Sequence, residues 1–226
     1  MLFLFSIICI GIESKGLFYK YYNDKIINIY SSGSSKQVIN GSLTLTKPEY
    51  SIYPWNKEYD WCSNCGNSKD DHPWIAFSLK NKKMKIRGYY IRVGCCYTST
   101  CCCQEFTYKY CTKCCLYSWS LQISNDNVTW TEVHKMKDDH MTRCRSNEYK
   151  LDQTYEAKFV RLIQNEACPG DPPCISINKL DLLGDVIDDN FNDQENINHE
   201  ENNFFSYHDD DDDISIIGHI SKNVNV

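Results

Sequence analysis

Six segments of the chain alternate apolar and polar residues with the period of a β-strand, in which successive side chains point to opposite faces. They cover residues 26–30, 74–79, 85–93, 118–124, 158–164 and 175–183. In the fourth segment Trp119, Leu121 and Ile123 fall on one face, and serine and glutamine residues fall on the other. In the last segment the alternation changes parity, which predicts a bulge near Asn178 and Lys179. No helical stripe of comparable length is present, so the pattern predicts an antiparallel β-sandwich.

The N-terminal residues 1–12 form an apolar run of signal-peptide length, too short to cross a bilayer as a helix. We therefore expect residues 1–14 to be a cleaved signal peptide, with a buried N-terminal strand as the alternative. No other stretch reaches the roughly 18 consecutive apolar residues of a membrane helix, so no transmembrane segment is predicted. Two N-glycosylation acceptors, Asn40 and Asn127, agree with a secreted, extracellular chain.

The formal net charge of −6 is concentrated in one segment. Residues 188–226 hold 11 acidic residues and one lysine, and they include a run of five aspartates at 209–213. Such a composition buries too little apolar surface to offset chain entropy, so this acidic tail is predicted to be disordered. The rest of the chain is weakly basic and has no long block of Lys and Arg, so nucleic acid is not expected as a partner.

The 14 cysteines favour an oxidising compartment, in which they would form disulfides. Eight of them crowd into a cysteine-rich insert at 94–116. With Cys9 in the signal peptide, the disulfide candidates are Cys62, Cys65, Cys95, Cys96, Cys101, Cys102, Cys103, Cys111, Cys114, Cys115, Cys144, Cys168 and Cys174. Two Cys-x-x-Cys pairs, at 62/65 and 111/114, leave a zinc or copper thiolate site open as the alternative.

A series of short motifs follows in a fixed order along residues 20–185. They are IYSS at 29–32, HPWIAFSLKN at 72–81, GYYIRV at 88–93, SWSLQISNDNVTW at 118–130, AKFVRLI at 157–163 and KLDLLG at 179–184. In this order they resemble the coagulation factor 5/8 type C, or discoidin, domain of the galactose-binding-like superfamily. An ordered series is far more specific than any one motif. The resemblance implies an eight-stranded jelly-roll barrel over residues 16–187.

The resemblance also implies roles for particular positions in the barrel. The core would take Trp74, Phe77, Trp119, Trp130, Phe159 and Leu162. Residues 124–127 would form a hairpin turn, where Asn and Asp tolerate positive φ. Arg161, at the family's arginine in the penultimate strand, would be structural and would pair with an acid such as Asp181.

Members of the family use three loops at one end of the barrel to grip sugars, proteins or phospholipid head groups. Here those loops correspond to the segments after Ser32, after Trp61 and after Gly94, so the insert falls at the binding end. The candidate ligand-binding residues are Lys36, Trp55, Asn67, Asp70, Asp71, Tyr97, Phe106 and Tyr108. Their aromatic rings suit stacking on sugars, and their carboxylate and amide groups suit sugar hydroxyls or a structural calcium ion.

The sequence departs from the family because no cysteine is placed to join the two ends of the domain and the insert has no counterpart. It also lacks a nucleophile elbow, a zinc-protease helix, a phosphate loop and a dinucleotide fingerprint, so no enzyme is predicted. We expect an extracellular adhesion module that recognises carbohydrate or a cell-surface glycoprotein, with a phospholipid surface as a further partner and no cofactor. The alternative is a cysteine-rich metal-binding or disulfide-cross-linked structural protein.

Overall fold

The computed structural model describes residues 16–66, 68, 70–95 and 115–188 with their side chains, and residues 103–104 and 109–110 by their backbone. Its strands are β1 (Ile27–Ser31), β2 (Lys36–Ile39), β3 (Ser42–Leu45), β4 (Trp61–Cys62), β5 (Trp74–Leu79), β6 (Lys82–Val93), β7 (Cys103–Gln104), β8 (Lys109–Tyr110), β9 (Ser118–Ser124), β10 (Thr131–Lys137), β11 (Ser146–Ala157), β12 (Phe159–Glu166) and β13 (Ser176–Asp188). A short helix, α1 (Leu17–Tyr21), precedes them, and two 3-10 turns lie at Tyr22–Asp24 and Pro48–Ile52. The predicted signal peptide, residues 189–226 of the acidic tail and most of the insert lie outside the described residues.

In the described part of the chain, nine antiparallel strands form the main sheet, in the order β10-β9-β12-β5-β6-β13-β4 with β1 on β5 and β11 on β6. β5 and β6 meet at Leu79 and Lys82, where the sheet folds over into two layers. Buried side chains of β5, β9 and β12 pack against those of β6 and β13, and Trp119 donates a hydrogen bond to Tyr89 across the layers. The predicted antiparallel β-sandwich is confirmed. It has one strand more than the expected eight, because the two-residue β4 joins β13.

The alternation predicted from sequence determines which residues form the core. Trp119 and Leu121 of β9 are completely buried, and β13 shifts register between Ile177 and Lys179, where the bulge was predicted. Asn127 has a φ of 60° in the β9–β10 turn, as expected. Phe18 of α1 is buried in the core, and the centre of its ring lies 4.5 Å from that of Phe77. No helix in the described part of the chain has the length and apolar character needed to span a membrane.

Three of the six expected core residues do not lie in the core. Phe77, Trp119 and Leu162 are buried there, but Trp74, Trp130 and Phe159 are half-buried on the outer face of the first layer. Strand parity explains the difference, because Phe159 and Arg161 share one face of β12 while Val160 and Leu162 face the core. The outward-facing aromatic residues cover the guanidinium group of Arg161, which lies 4.1 Å from the centre of the Trp130 ring.

The expected pairing of Arg161 with Asp181 is wrong. Arg161 donates from Nε and Nη2 to Gln122 Oε1, at 2.9 and 2.6 Å, and no carboxylate among the described residues lies within salt-bridge distance. Asp181 lies in the other layer and accepts hydrogen bonds from the backbone N–H groups of Phe18 and Tyr19 at 2.7 and 3.2 Å. It therefore caps the first turn of α1, which has no side-chain cap of its own.

A second sheet joins the first loop to the cysteine-rich insert. Among the described strands its order is β3-β2-β7-β8, and β7 of the insert pairs with β2 at Lys36 and Cys103. β2 and β3 are connected by Asn40 and Gly41, both with positive φ (50° and 78°), which suits a tight hairpin turn. Two of the segments proposed as binding loops are therefore parts of one sheet.

Candidate functional site: the loop end of the sandwich

Several connections between strands meet at one end of the sandwich, here called the loop end. It is the end at which β1 and β6 finish and β5 and β13 begin, as shown by the register of Ser31 with Ile75 and by the hydrogen bond from Gly94 N to Ser176 O. The segments after Ser32, Trp61 and Gly94 all start there, and so do the β10–β11 and β12–β13 connections. Of the predicted site residues with described side chains, Lys36, Asp70 and Asp71 lie on these segments.

Ser32 and Asn64 fasten the first loop to the second. The Ser32 hydroxyl donates to Asn64 Oδ1 at 3.1 Å and accepts from Trp74 N, also at 3.1 Å. The backbone N–H of Asn64 donates to the carbonyl of Gly33, which has a φ of 138°. A side chain at Gly33 would be strained by this φ and would approach the Asn64 amide within 3.1 Å, so glycine is needed here.

The carboxylate of Asp60 connects three separate parts of the loop end from a completely buried position. It accepts hydrogen bonds from Cys95 N at 2.9 and 3.0 Å, from Gln37 Nε2 at 3.0 Å and from Asn178 Nδ2 at 3.0 Å. The side-chain oxygen of Gln37 in turn accepts a hydrogen bond from Asp60 N at 2.8 Å. β2, the start of the insert and β13 are thus held by one acidic side chain that the sequence analysis did not identify.

Lys57 lies beside this acidic group. Its ammonium donates to the backbone carbonyls of Tyr59 at 2.8 Å and of Asn178 at 2.5 Å. Burial lowers the pKa of Lys57 to about 7, and the charge of Asp60 opposes that shift. The half-buried Lys57 therefore helps to fix the chain that enters β4 through its bonds to backbone carbonyls.

Two disulfides are described, and both lie at the loop end. Cys95 is bonded to Cys144 of the β10–β11 connection, and Cys115 is bonded to Cys168 of the β12–β13 connection. They hold the first and last cysteines of the insert to the body of the sandwich. The sequence predicted that these cysteines form disulfides, and for these two pairs the prediction is confirmed.

The other cysteine candidates differ in bonding and burial, and several lie outside the described residues. Cys62 is also disulfide-bonded, and Cys65 and Cys174 are buried on segments joined by the hydrogen bond from Gly66 N to Pro173 O at 2.7 Å. Cys103 is described by its backbone, and Cys96, Cys101, Cys102, Cys111 and Cys114 lie outside the described residues. Among the described residues, no group of three or more His, Cys, Asp and Glu side chains could bind a metal ion.

The candidate ligand-binding residues fall into three groups. Lys36 lies on β2 beside the insert, and Asp70 is exposed in the second loop. Asp71 is engaged in that loop, because its carboxylate accepts from Ser68 N at 2.8 Å. Trp55 is elsewhere, on the side of the sandwich, where it stacks on Tyr53. Asn67, Tyr97, Phe106 and Tyr108 lie outside the residues with described side chains.

The two glycosylation candidates occupy turns. Asn40 is exposed in the β2–β3 hairpin, and Asn127 is half-buried in the β9–β10 turn at the end opposite the loops. Backbone N–H groups of Val128 and Thr129 donate to the Asp126 carboxylate in the same turn and lower its pKa.

Known structures share this architecture. The module CpGH89CBM32-5 of Clostridium perfringens, solved in complex with GalNAc-β-1,3-galactose, matches with a TM-score of 0.50 at 12% identity, over 70% of this chain and 95% of that one. The chain has the discoidin fold. Two further C. perfringens structures match at the same sequence identity. CBM32-3 of a family 31 glycoside hydrolase matches with a TM-score of 0.48 at 12% identity, over 70% and 91% of the two chains.

The family 32 module of C. perfringens NanJ, in complex with galactose, matches with a TM-score of 0.45 at 12% identity, over 69% and 92% of the two chains. No protein-family model matches the sequence, and no curated protein matches it.

Proposed function

We propose that this chain is a non-catalytic, extracellular carbohydrate-binding module that contacts its ligand through the loop end. The observation that carries the proposal is the way the loop end is fixed. The buried carboxylate of Asp60 and the disulfides Cys95–Cys144 and Cys115–Cys168 all hold connections at this end. Rigid loops lose little conformational freedom when they bind, which favours recognition of a small, weakly held ligand such as a sugar.

The choice of ligand class has separate support. The structure with a TM-score of 0.50 is that of a module bound to a disaccharide of GalNAc and galactose. Galactose-type sugars are therefore the first ligands to test. On this chain the accessible polar groups of the loop end include Lys36 and Asp70, which suit hydrogen bonds to sugar hydroxyls.

The experiment is a glycan array followed by isothermal titration of the sugars that bind. We expect Lys36→Ala and Asp70→Ala to weaken binding by about tenfold each, the size of one lost charge-assisted hydrogen bond. Lys80→Ala is the matched control, because Lys80 is exposed in the β5–β6 turn at the opposite end. If both loop-end variants bind every sugar as the parent does, the proposed site is wrong.

The alternative of a metal-binding or cross-linked structural protein is tested with the same preparation. Intact mass with and without reduction gives the number of disulfides and detects disulfide-linked oligomers, and elemental analysis gives bound zinc, copper and calcium. Monomeric, oxidised protein without metal agrees with a binding module. Stoichiometric zinc or copper on protein that binds no glycan would favour the alternative.

A further inference from the structure

A cavity of about 520 Å³ opens on the layer formed by β6, β11 and β13, beside α1. Its lining includes Lys20 of α1, Arg87 of β6 and Lys150 of β11, and all three side chains are exposed. Arg87 precedes Val93, where β6 reaches the loop end, by six positions, which is about 20 Å along a strand. The cavity is therefore separate from the proposed carbohydrate site.

Irregular pairing of β6 with both of its neighbours shapes the cavity. The pairing with β11 is interrupted after Lys150, so residues 151–154 lie opposite Arg87 alone. The pairing with β13 shifts between Leu183 and Gly184, at the same arginine. Bulges of this kind redirect side chains and are frequent next to active sites. Residues 151–154 line one side of the cavity and Leu183 and Gly184 line another, with Arg87 between them.

The bulge in β13 requires glycine at position 184. A Cβ atom there would lie 1.9 Å from the carbonyl oxygen of Lys85, which is far inside van der Waals contact. Because the obstructing atom belongs to the backbone of β6, a change of side-chain rotamer would not relieve the clash. The close approach of β13 to β6 beside Arg87 therefore depends on Gly184.

Three cations from three different elements line the cavity. The ammonium groups of Lys20 and Lys150 have no hydrogen bond or ion pair among the described residues. Arg87 donates from Nη1 to Asp185 at 2.5 Å, which leaves further guanidinium N–H groups for a ligand. The hydrogen bond and charge of Arg87 lower the pKa of Asp185 most, and the charge of Lys20 lowers it further. Lys20 and Arg87 therefore lie near the same carboxylate.

Two acids, Glu148 and Asp152, also line the cavity, so its cations outnumber its acids by one. The Asp152 carboxylate is engaged within β11, because it accepts hydrogen bonds from the Tyr155 hydroxyl at 2.8 Å and from Gln153 N at 2.9 Å. The two lysine ammonium groups have no such bonds, so an anion gains more in this cavity than a cation does.

We propose that this cavity binds a sugar that carries a sulfate or phosphate ester. Such an ester presents three oxygens in a tetrahedral arrangement, so cations from three elements can each contact one of them. A carboxylate is planar and is satisfied by a single arginine fork, which would leave both lysines unused. The cavity has the volume of a small-molecule site, roughly 300–1,000 Å³. The exposed side chains of Gln153 and Thr154 suit hydrogen bonds to the hydroxyls of the sugar.

The test is an NMR titration of the nitrogen-15-labelled full chain with glucose 6-sulfate, glucose 6-phosphate and glucose. We expect the esters to bind with a Kd of about 1 mM and to shift the backbone N–H signals of residues 151–154 and Gly184. Glucose should leave these signals unchanged, and the ester that binds more tightly identifies the anionic group. No shift of these signals at about 10 mM ester, or equal shifts with glucose, would overturn the proposal.

The same spectra separate this proposal from the proposed function. Signals of Ser32 and Asn64 report on the loop end, and those of residues 151–154 report on the cavity. A sugar that shifts the loop-end signals alone supports the carbohydrate site and contradicts the ester site. Lys36→Ala, at the loop end, should leave ester binding in the cavity unchanged.

Lys20→Gln and Lys150→Gln test the cations directly. Each substitution removes one charge from an exposed side chain, and we expect each to weaken ester binding about tenfold, the size of one lost charge-assisted hydrogen bond. Lys135→Gln is the matched control, because Lys135 is an exposed lysine on β10, in the other layer. Affinity equal to that of the parent in both Lys20→Gln and Lys150→Gln would mean that these cations do not bind the ester.

Discussion

His134 connects the outer strand β10 to the core through a chain of polar contacts. Trp119 Nε1 donates to the Tyr89 hydroxyl at 2.8 Å, and that hydroxyl lies 2.9 Å from His134 Nδ1. When the imidazole is neutral with its proton on Nε2, its Nδ1 accepts a hydrogen bond from the Tyr89 hydroxyl. Burial lowers the pKa of His134 below its ordinary value of 6.5, so the fold favours this neutral form.

This shift predicts how stability depends on pH. Because the folded pKa of His134 is below the unfolded one, its contribution is fully present above pH 6.5 and is lost as pH falls through the folded pKa. His134→Asn keeps an acceptor for Tyr89 but does not titrate. We expect its free energy of unfolding to fall less between pH 7.5 and 5.5 than that of the parent, as measured by urea denaturation.

Two comparisons make this test specific. His140→Asn changes an exposed histidine whose side chain is 77% accessible, so its pH profile should match that of the parent. The contribution of Asp181 to the free energy of unfolding depends on pH in the opposite direction. Burial raises the pKa of Asp181 to about 6, so its contribution is lost as pH rises. Asp181 is present in all three proteins and cancels in the comparison. An unchanged slope in His134→Asn would contradict the prediction.

Single residues show where sequence reasoning stops. Asp60 has no motif around it, because its partners Cys95 and Asn178 lie 35 and 118 positions further along the chain. Arg161 was placed correctly on its strand, but its partner was wrong because an acid was assumed where the structure uses Gln122 and aromatic rings. A polar contact between residues far apart in the chain leaves no periodic pattern in the sequence, so these contacts are seen only in the folded structure.

Strands that bury one face were predicted well, and strands that bury little were missed. β9, β12 and β13 were found by their alternation, including the bulge in β13. β11 was missed because Tyr149 and Ala157 are its only buried side chains, and two are too few to give an alternation of apolar and polar residues. Three of the five aromatic residues expected in the core lie on the outer face instead, since hydrophobicity alone does not distinguish the core from an outer face that covers an arginine.

At the scale of elements, the disulfide Cys95–Cys144 joins the end of β6 to the connection between β10 and β11, 49 positions away. Closing a loop of this length restricts the unfolded chain and contributes about 4 kcal/mol. We expect the double variant Cys95→Ala, Cys144→Ala to lose about that much free energy of unfolding in guanidinium titrations, and to bind sugars more weakly.

The strand pairs of the sandwich do not depend on this bond, so far-ultraviolet circular dichroism should remain that of the parent. A single exposed change at the opposite end, Val128→Ala, is the control, because Val128 is 81% exposed. If the double variant unfolds at the same guanidinium concentration as the parent, the disulfide does not stabilise the loop end.

At the scale of the whole molecule, the net negative charge lies in the C-terminal segment, and the described strands lie before it. The last strand, β13, ends at Asp188, which forms an ion pair with Lys82 at the start of β6. Beyond it the composition, dominated by Asn, Asp and Glu, predicts no buried core. The strands described for the sandwich end at that point, so we expect its stability not to require the tail.

Removal of residues 189–226 should therefore leave the melting temperature within about 2 °C of the parent, measured by calorimetry at physiological salt. Leu182→Ala provides the contrast, because Leu182 of β13 is completely buried and its truncation should cost about 3 kcal/mol. Sugar binding should survive in the shortened chain, since Asp60 and the two disulfides all precede residue 189. A melting temperature lower by ten degrees or more, on the order of the Leu182→Ala effect, would mean that the acidic segment belongs to the folded unit.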